Sequence, residues 1–252
     1  MSELDLNIPS AESRIRSAEW SQLSSAAWLA LVSQLADSLV ITTILRQGLE
    51  TNPDLLERFT FLAHQEVLWI SGWLVSQFAS LAFFYFFVSF IWAHKSENRP
   101  SKHLLWLVLI LITVAVAQDL AAHAIEMGVL PGLAELALPE LAHGIHGLAS
   151  AQLCLTVHRI AELLTGYLSN GLYAVSALLL VWSTRKLYPP WVWIPGLAVG
   201  LSGLVFSVAC LANSLNAMLW ANVFVEPFSL MWQAGVAICA GRWARAALQK
   251  SN

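Results

Sequence analysis

The chain has 252 residues, of which 58% are hydrophobic and only 12% are charged, and its formal net charge at pH 7 is -3. A composition this apolar is typical of integral membrane proteins and excludes an ordinary soluble domain. The small net charge gives no sign of a nucleic-acid partner, and we expect none.

Runs of about twenty apolar residues, the length that crosses a ~30 Å hydrocarbon core, predict an all-α integral membrane protein. The six predicted transmembrane helices lie near residues 25–46, 66–93, 103–126, 160–184, 191–213 and 216–241. No small-residue cleavage site follows the first run, so we expect it to be retained and not to be a signal peptide. The predicted organisation is an N-terminal cytoplasmic segment (1–24), one six-helix transmembrane domain (25–247) and a C-terminal tail (248–252).

Two connecting segments have patterns of their own. Asn52-Pro53-Asp54 is typical of a helix start, and the apolar residues after it predict a short amphipathic helix within 47–63. Residues 127–159 are broken by prolines and then become apolar again. This second segment is predicted to form either a surface helix or the first turns of a long fourth span.

Alternate loops differ strongly in their content of Lys and Arg. One set of loops, together with both termini, holds ten of the 13 basic residues: Arg14, Arg16, Lys95, Arg99, Lys102, Arg185, Lys186, Arg242, Arg245 and Lys250. The positive-inside rule therefore predicts that both termini are cytoplasmic. We expect a bacterial inner membrane as the location and the lipid bilayer as the first partner.

Ionisable side chains interrupt several predicted spans. In the third span Asp119, His123 and Glu126 follow one another at i, i+4 and i+7, so they share one helix face. In the fourth, His158 and Glu162 are one turn apart. Because a charge inside the membrane costs at least ~2.5 to 3.5 kcal/mol, such residues usually face the bundle interior and serve a function.

Two further carboxylates lie in the first and last spans. Asp37 belongs to the first, and Glu226 to the last, where the following Pro227 predicts a kink because it removes a backbone donor. The alternating directions of the helices put all these carboxylates in the outer half of the membrane. An outward-facing cavity is the simplest arrangement that solvates or pairs them.

Histidine and carboxylate side chains together are ligands for zinc or iron. We therefore predict a membrane metalloprotein that holds one or two divalent ions in the outer half of the bundle. The predicted ligands are Asp119, His123, Glu126, His158 and Glu162, with Glu226 and Asp37 as further ligand or general base. Such a site would make the protein a metal-dependent hydrolase or oxidoreductase, acting on a lipid-like or other small hydrophobic substrate.

Three alternatives use the same residues. A small proton- or cation-coupled transporter would bind its ion on Asp37, Asp119, Glu162 and Glu226. A haem-binding electron-transfer protein would use His123 and His158 as axial ligands. Structural ion pairing, finally, would join His123 to Asp119, and His158 or Arg159 to Glu162.

The remaining motifs predict less. His64, His143 and His146 lie in the outer connections, and their spacing alone assigns them no role. Gly196, Gly200 and Gly203 share one face of the fifth span and predict a close helix contact. The cysteines Cys154, Cys210 and Cys239 are far apart and are predicted to be buried small apolar residues.

Overall fold

The computed structural model describes residues 11–95, 101–142 and 149–249, and within them the chain forms helices and no β-strand. The α-helices are α1 (Ala11–Thr43), α2 (Leu55–His64), α3 (Glu66–His94), α4 (Lys102–Gly128), α5 (Leu130–Ala142), α6 (Ala149–Glu162), α7 (Asn170–Thr184), α8 (Pro190–Leu211) and α9 (Leu215–Gln249). A 3-10 turn (Leu45–Gln47) follows α1, and a π-helical segment (Leu163–Ser169) joins α6 to α7.

Within the described residues, six helical stretches are long and apolar enough to cross a membrane, as the sequence predicted. They are Glu12–Gln47, Glu66–His94, Lys102–Gly128, Ala149–Thr184, Pro190–Leu211 and Leu215–Gln249. The fourth stretch joins α6, the π segment and α7, so residues 149–159 are the first turns of a long fourth span. The short amphipathic helix expected within 47–63 is α2, whose first turn is capped by Asp54 accepting from the backbone N–H of Glu57.

The first helix begins at Ala11 and not near residue 25 as predicted. Its polar first half stays helical because it packs on the last helix, where Ser17 Oγ donates to the carbonyl of Ala244 at 2.9 Å and Ser24 Oγ donates to that of Ala237 at 2.8 Å. These contacts bring the start of α1 and the end of α9 together at one end of the bundle. We call it the terminal end, and the opposite end is covered by α2 and α5.

Small residues set the packing of α8, as its glycine spacing predicted. A Cβ at Gly200 would come within 2.4 Å of Leu178 on α7, and one at Gly203 would reach Ala174 at 3.0 Å. A Cβ at Gly196 would lie 2.6 Å from Val181 on α7 and 2.9 Å from Trp232 on α9. Inside a bilayer the hydrophobic effect does not drive helices together. Close approach of two backbones instead stabilises their contact through van der Waals attraction. The three cysteines are buried and free, also as predicted.

Large apolar side chains cover the outside of the bundle. Among the most exposed are Leu39, Val67, Trp106, Trp182, Val205, Val208 and Trp220. Near the terminal end Lys95 lies 4.2 Å from the centre of the Trp92 ring, and Arg185 lies 3.7 Å from that of Trp182. A continuous apolar surface with tryptophan and basic residues at its rim suits a helix bundle surrounded by lipid.

Candidate functional site: a cavity lined by carboxylates

A cavity of about 370 Å³ lies between α1, α3, α4, α7, α8, α9 and the π segment. Four carboxylates line it, one from each of four different spans: Asp37, Asp119, Glu162 and Glu226. The rest of the lining is apolar, hydroxyl-bearing or aromatic. No Lys or Arg is among the described residues that line the cavity.

Two serines of α3 hold two of the carboxylates. Ser76 Oγ donates to Oδ1 of Asp37 at 2.5 Å, and Ser80 Oγ donates to Oδ2 of Asp119. The two serines are one helical turn apart, a rise of about 6 Å along α3, so they contact the two carboxylates at successive turns of the same helix face. Thr165 of the π segment donates to the other oxygen of Asp119. Asp119 thus has hydroxyl partners on both oxygens, while Oδ2 of Asp37 has none among the described residues.

An amide network holds the third carboxylate. Gln34 of α1 donates from Nε2 to Oε2 of Glu226 at 2.8 Å. Its Oε1 accepts from Ser229 Oγ at 2.9 Å and from Gln233 Nε2 at 2.6 Å. Glu226 immediately precedes Pro227, and α9 stays helical through that proline. Since proline lacks an N–H, the carbonyl four residues earlier, that of the exposed Val223, is left without its usual partner.

The π segment forms one wall of the cavity through Thr165 and Gly166. The backbone N–H of Asn170 donates to the carbonyls of Thr165 and Tyr167, and each of these carbonyls also accepts from a side chain. Asn170 Nδ2 donates to the carbonyl of Thr165 at 2.9 Å, and Ser207 Oγ donates to that of Tyr167 at 2.7 Å. Isolated π turns inside long helices occur frequently at functional sites. This one turns the Thr165 hydroxyl toward Asp119.

Two aromatic rings with unsatisfied nitrogens lie on another part of the wall. The rings of Trp73 and His123 are 4.9 Å apart and inclined at 37°. His123 Nε2 is 3.9 Å from Oδ1 of Asp119, which is too long for a hydrogen bond. His123 Nδ1 and Trp73 Nε1 are buried and have no hydrogen-bond partner.

Glu162 differs from the other three carboxylates because a guanidinium neutralises it. Arg159, one turn earlier on α6, pairs with its Oε2 and also donates to the backbone carbonyl of Cys210 on α8. This ion pair is one of the structural pairings that the sequence left open. It fixes the end of α6 against α8 at the edge of the cavity.

Glu126 and His158 form a separate buried cluster beneath α2. Oε1 of Glu126 lies 2.9 Å from Nδ1 of His158, and His158 Nε2 lies 4.0 Å from Oε1 of Glu50. Arg58 of α2 is also buried there and donates from Nε to the carbonyl of Gly48 at 3.4 Å. Burial lowers the pKa of the Arg58 guanidinium, and the negative charge of Glu50 opposes this shift.

The five predicted metal ligands are therefore distributed over two places. Asp119, His123 and Glu162 line the cavity, where Glu162 also pairs with Arg159, whereas Glu126 and His158 pair with each other outside the cavity lining. Across residues 11–95, 101–142 and 149–249, no group of three His, Cys, Asp or Glu side chains is arranged to hold a metal ion. The predicted further ligands Asp37 and Glu226 both line the cavity.

Sequence reasoning overlooked several residues of the site. Ser76, Ser80 and Trp73 are ordinary residues of a membrane helix, and only their spacing on one face of α3 signals a role. The exposed His64 ring contacts only the carbonyl of Thr60, at 3.2 Å, and does not line the cavity. His143 and His146 lie outside the described residues.

No model of a known protein family, no curated protein and no solved structure matches this chain. The interpretation of the cavity therefore rests on its own geometry and chemistry.

Proposed function

We propose that this chain is a small membrane transporter that binds a cation or protons on Asp37, Asp119, Glu162 and Glu226. The observation that carries the proposal is that these carboxylates, from four different spans, line one cavity. Its volume of about 370 Å³ is within the range of roughly 300 to 1,000 Å³ typical of small-molecule sites.

The electrostatics of the cavity support the proposal. Asp37, Asp119 and Glu226 have hydroxyl or amide partners, but none of them has a Lys or Arg partner in the described parts of the chain. A carboxylate at membrane depth must bind a proton or another cation to offset the loss of water. Because that ion is held by attraction without a permanent ion pair, it can be exchanged. Exchangeable charge is what a carrier needs.

Irregular backbone beside the cavity also supports it. The π segment and Pro227 each interrupt the regular hydrogen bonding of a span next to the carboxylates. Such interruptions are tolerated inside a membrane mainly where they line a cavity. Transporters commonly bind their substrates at discontinuous helices of this kind.

The distribution of basic residues supports an orientation. Lys95, Lys102, Arg185 and Arg242 lie at or near helix ends at the terminal end of the bundle. By the positive-inside rule we propose that this end is cytoplasmic and that both termini are therefore inside. The end covered by α2 and α5 then faces the extracytoplasmic side, and the membrane is a bacterial inner membrane.

The metalloenzyme and the haem protein stay predictions. Both hypotheses would use His123 and His158 together, but His158 is directed to Glu126 while His123 contacts Trp73 and Asp119. The transporter uses the carboxylates that share one cavity, so we favour it.

Charge-displacement recordings on proteoliposomes attached to a solid-supported membrane test the proposal. Jumps in pH or in Na⁺ or K⁺ concentration should produce a saturable transient current with the wild-type chain. The double variant Asp37→Asn/Glu226→Gln should abolish it, whereas Glu66→Gln, at an exposed carboxylate of α3, should leave it unchanged. Wild-type currents that equal those of empty liposomes for every cation would overturn the proposal.

A further inference from the structure

We infer that the substrate of this cavity is an organic cation with a large apolar body, such as an aryl-substituted quaternary ammonium ion. The inference rests on the transporter proposed above and names the class of cation that it would carry. It follows from the arrangement of the carboxylates, the apolar walls between them and the apolar surface that adjoins the cavity.

The negative charge of the cavity is spread along its walls and does not converge on one point. On α3, Ser76 bonds Asp37, and one turn further along Ser80 bonds Asp119. An amide of α1 holds Glu226. In the described ranges no three His, Cys, Asp or Glu side chains are grouped so that they could hold a metal ion. Inorganic cations give up water only for a close shell of oxygens, whereas the diffuse charge of an organic cation needs only negative groups nearby.

The walls between the carboxylates provide room for an apolar body. The cavity has a volume of about 370 Å³, and most of its accessible lining is apolar. Ile41, Phe83, Val199, Phe206 and Val225 are among the apolar residues that line it. Phe83 and Phe206 are only partly buried, so their side chains retain accessible surface. Aromatic faces attract ammonium groups and also pack against hydrocarbon.

The charge balance of the lining requires that this apolar ligand be positive. No basic residue is found among the described residues of the lining, and of its four carboxylates only Glu162 is paired with a guanidinium. A neutral molecule of the same shape would fill the cavity but leave the other carboxylates without a counter-charge in a medium of low dielectric constant. A cation supplies that charge.

The outer surface of α9 beside the cavity is apolar as well. Asn222 is an exposed residue that also lines the cavity. Its neighbours Trp220, Val223 and Phe224 are each at least half exposed. A cation with an apolar body partitions onto a surface of this kind from lipid, and Na⁺ and K⁺ do not. The surroundings of the cavity therefore favour the same class of ligand as its walls.

Two quaternary ions that differ only in their apolar body test the inference: benzyltrimethylammonium and tetramethylammonium. Isothermal titration calorimetry of the purified full chain in non-ionic detergent measures their binding, with empty micelles as the background. We expect the Kd of benzyltrimethylammonium to be at least about tenfold lower, because the apolar walls bury its phenyl ring. The double variant Asp37→Asn/Glu226→Gln should weaken the binding of both ions. Equal affinity for the two ions, or no binding of either, would overturn the inference.

The variant Phe206→Leu keeps an apolar side chain and removes the aromatic face. It should raise the Kd of benzyltrimethylammonium about fivefold, the usual effect of losing one ring from an ammonium site. Phe206→Tyr retains the face and should bind as the wild type does. The matched control Phe78→Leu, at an exposed phenylalanine of α3, should also keep wild-type affinity. Wild-type affinity in Phe206→Leu, or a loss as large in Phe206→Tyr, would contradict the contact with the ring.

The two proposals fail in different ways in the charge-displacement recording. If Na⁺, K⁺ or pH jumps produce currents that depend on Asp37 while benzyltrimethylammonium neither binds nor alters them, the organic substrate is wrong and the transporter stands. If benzyltrimethylammonium binds but no cation of any kind produces a current, the transporter is wrong, and so is the role of this ion as its substrate.

Discussion

Nδ1 of His158 lies 2.9 Å from Oε1 of Glu126, and both side chains are almost completely buried. Each was predicted to be a metal ligand, yet each is the other's partner. The pair lies where α6 passes α4, beneath the cover formed by α2 and α5. This geometry suits a structural ion pair, so removing either side chain should lower the free energy of unfolding.

Replacing one member of this pair should destabilise the fold strongly. His158→Ala leaves the Glu126 carboxylate buried without its partner, which should lower the free energy of unfolding by about 3 kcal/mol. The double variant His158→Ala/Glu126→Gln should cost less than the sum of the two single variants. Unfolding in mixed detergent micelles, with His64→Ala at an exposed histidine as control, measures both. Equal stability of His158→Ala and His64→Ala would contradict the structural role.

Thr165 should contribute to stability through its hydroxyl alone. Thr165→Val keeps the shape but removes the hydrogen bond to Asp119, so we expect a loss of about 1.5 kcal/mol, the size of a hydrogen bond to a charged group. Thr165→Ser should restore most of it. Thr113→Val, at an exposed threonine that bonds only within α4, is the matched control in the same unfolding assay. A loss as large in Thr165→Ser as in Thr165→Val would refute the hydroxyl contact.

The close approach of α8 and α7 should make Gly200 sensitive to a single methyl group. Gly200→Ala would put a Cβ 2.4 Å from Leu178 and 3.1 Å from the backbone carbonyl of Ala174, and we expect it to cost about 1 to 3 kcal/mol. Gly128→Ala meets no atom within 4 Å and should be neutral or stabilising. Thermal unfolding followed by tryptophan fluorescence compares the two variants. The unfolding midpoint of Gly128→Ala should be higher than that of Gly200→Ala, and the reverse order would contradict the prediction.

Pro227 should affect transport more than folding. Pro227→Ala supplies the N–H that the helix lacks, so α9 should become more stable while the backbone beside Glu226 loses its irregularity. We expect a higher unfolding midpoint together with at least a fivefold smaller cation-evoked current. Pro195→Ala, at the proline inside α8 and away from the cavity lining, should leave the current unchanged. A normal current in Pro227→Ala would show that the interruption has no part in transport.

Removal of divalent metal should leave cation-evoked currents intact. The cavity carboxylates are already held by hydroxyl, amide or guanidinium groups, so the transporter needs no metal to organise them. Recordings before and after treatment with a chelator, together with metal analysis of the purified protein, check this. A current that disappears with the chelator and returns with zinc or iron would favour the predicted metalloprotein.

The six spans followed from the sequence because apolar length and membrane thickness are directly related. The identity of the cavity carboxylates also followed, since a charge inside an apolar span has few stable positions. Their partners did not. A serine in a membrane helix commonly bonds its own backbone, so Ser76 and Ser80 carry no signal until α1 and α4 are known to pass on either side of α3.

The backbone of the fourth span could not be predicted from its pattern. His158 and Glu162 are one α-helical turn apart, but the chain forms a π-helical segment from Leu163 to Ser169. A π turn holds more residues than an α turn, so the positions of later side chains cannot be extrapolated from the α-helical period. Glu162 and Thr165 nevertheless line the same cavity, whereas His158 pairs with Glu126 outside its lining.

The hydrogen bond between Gln34 and Glu226 joins the first span to the last, across 192 positions of sequence. During synthesis α1 enters the bilayer long before α9 has been made, so the side-chain amide of Gln34 lacks its partners Glu226, Ser229 and Gln233 until most of the chain exists. The cavity is completed only when the final helix inserts. A chain truncated before Glu226 would therefore retain five spans but expose the acidic side of an incomplete cavity to lipid.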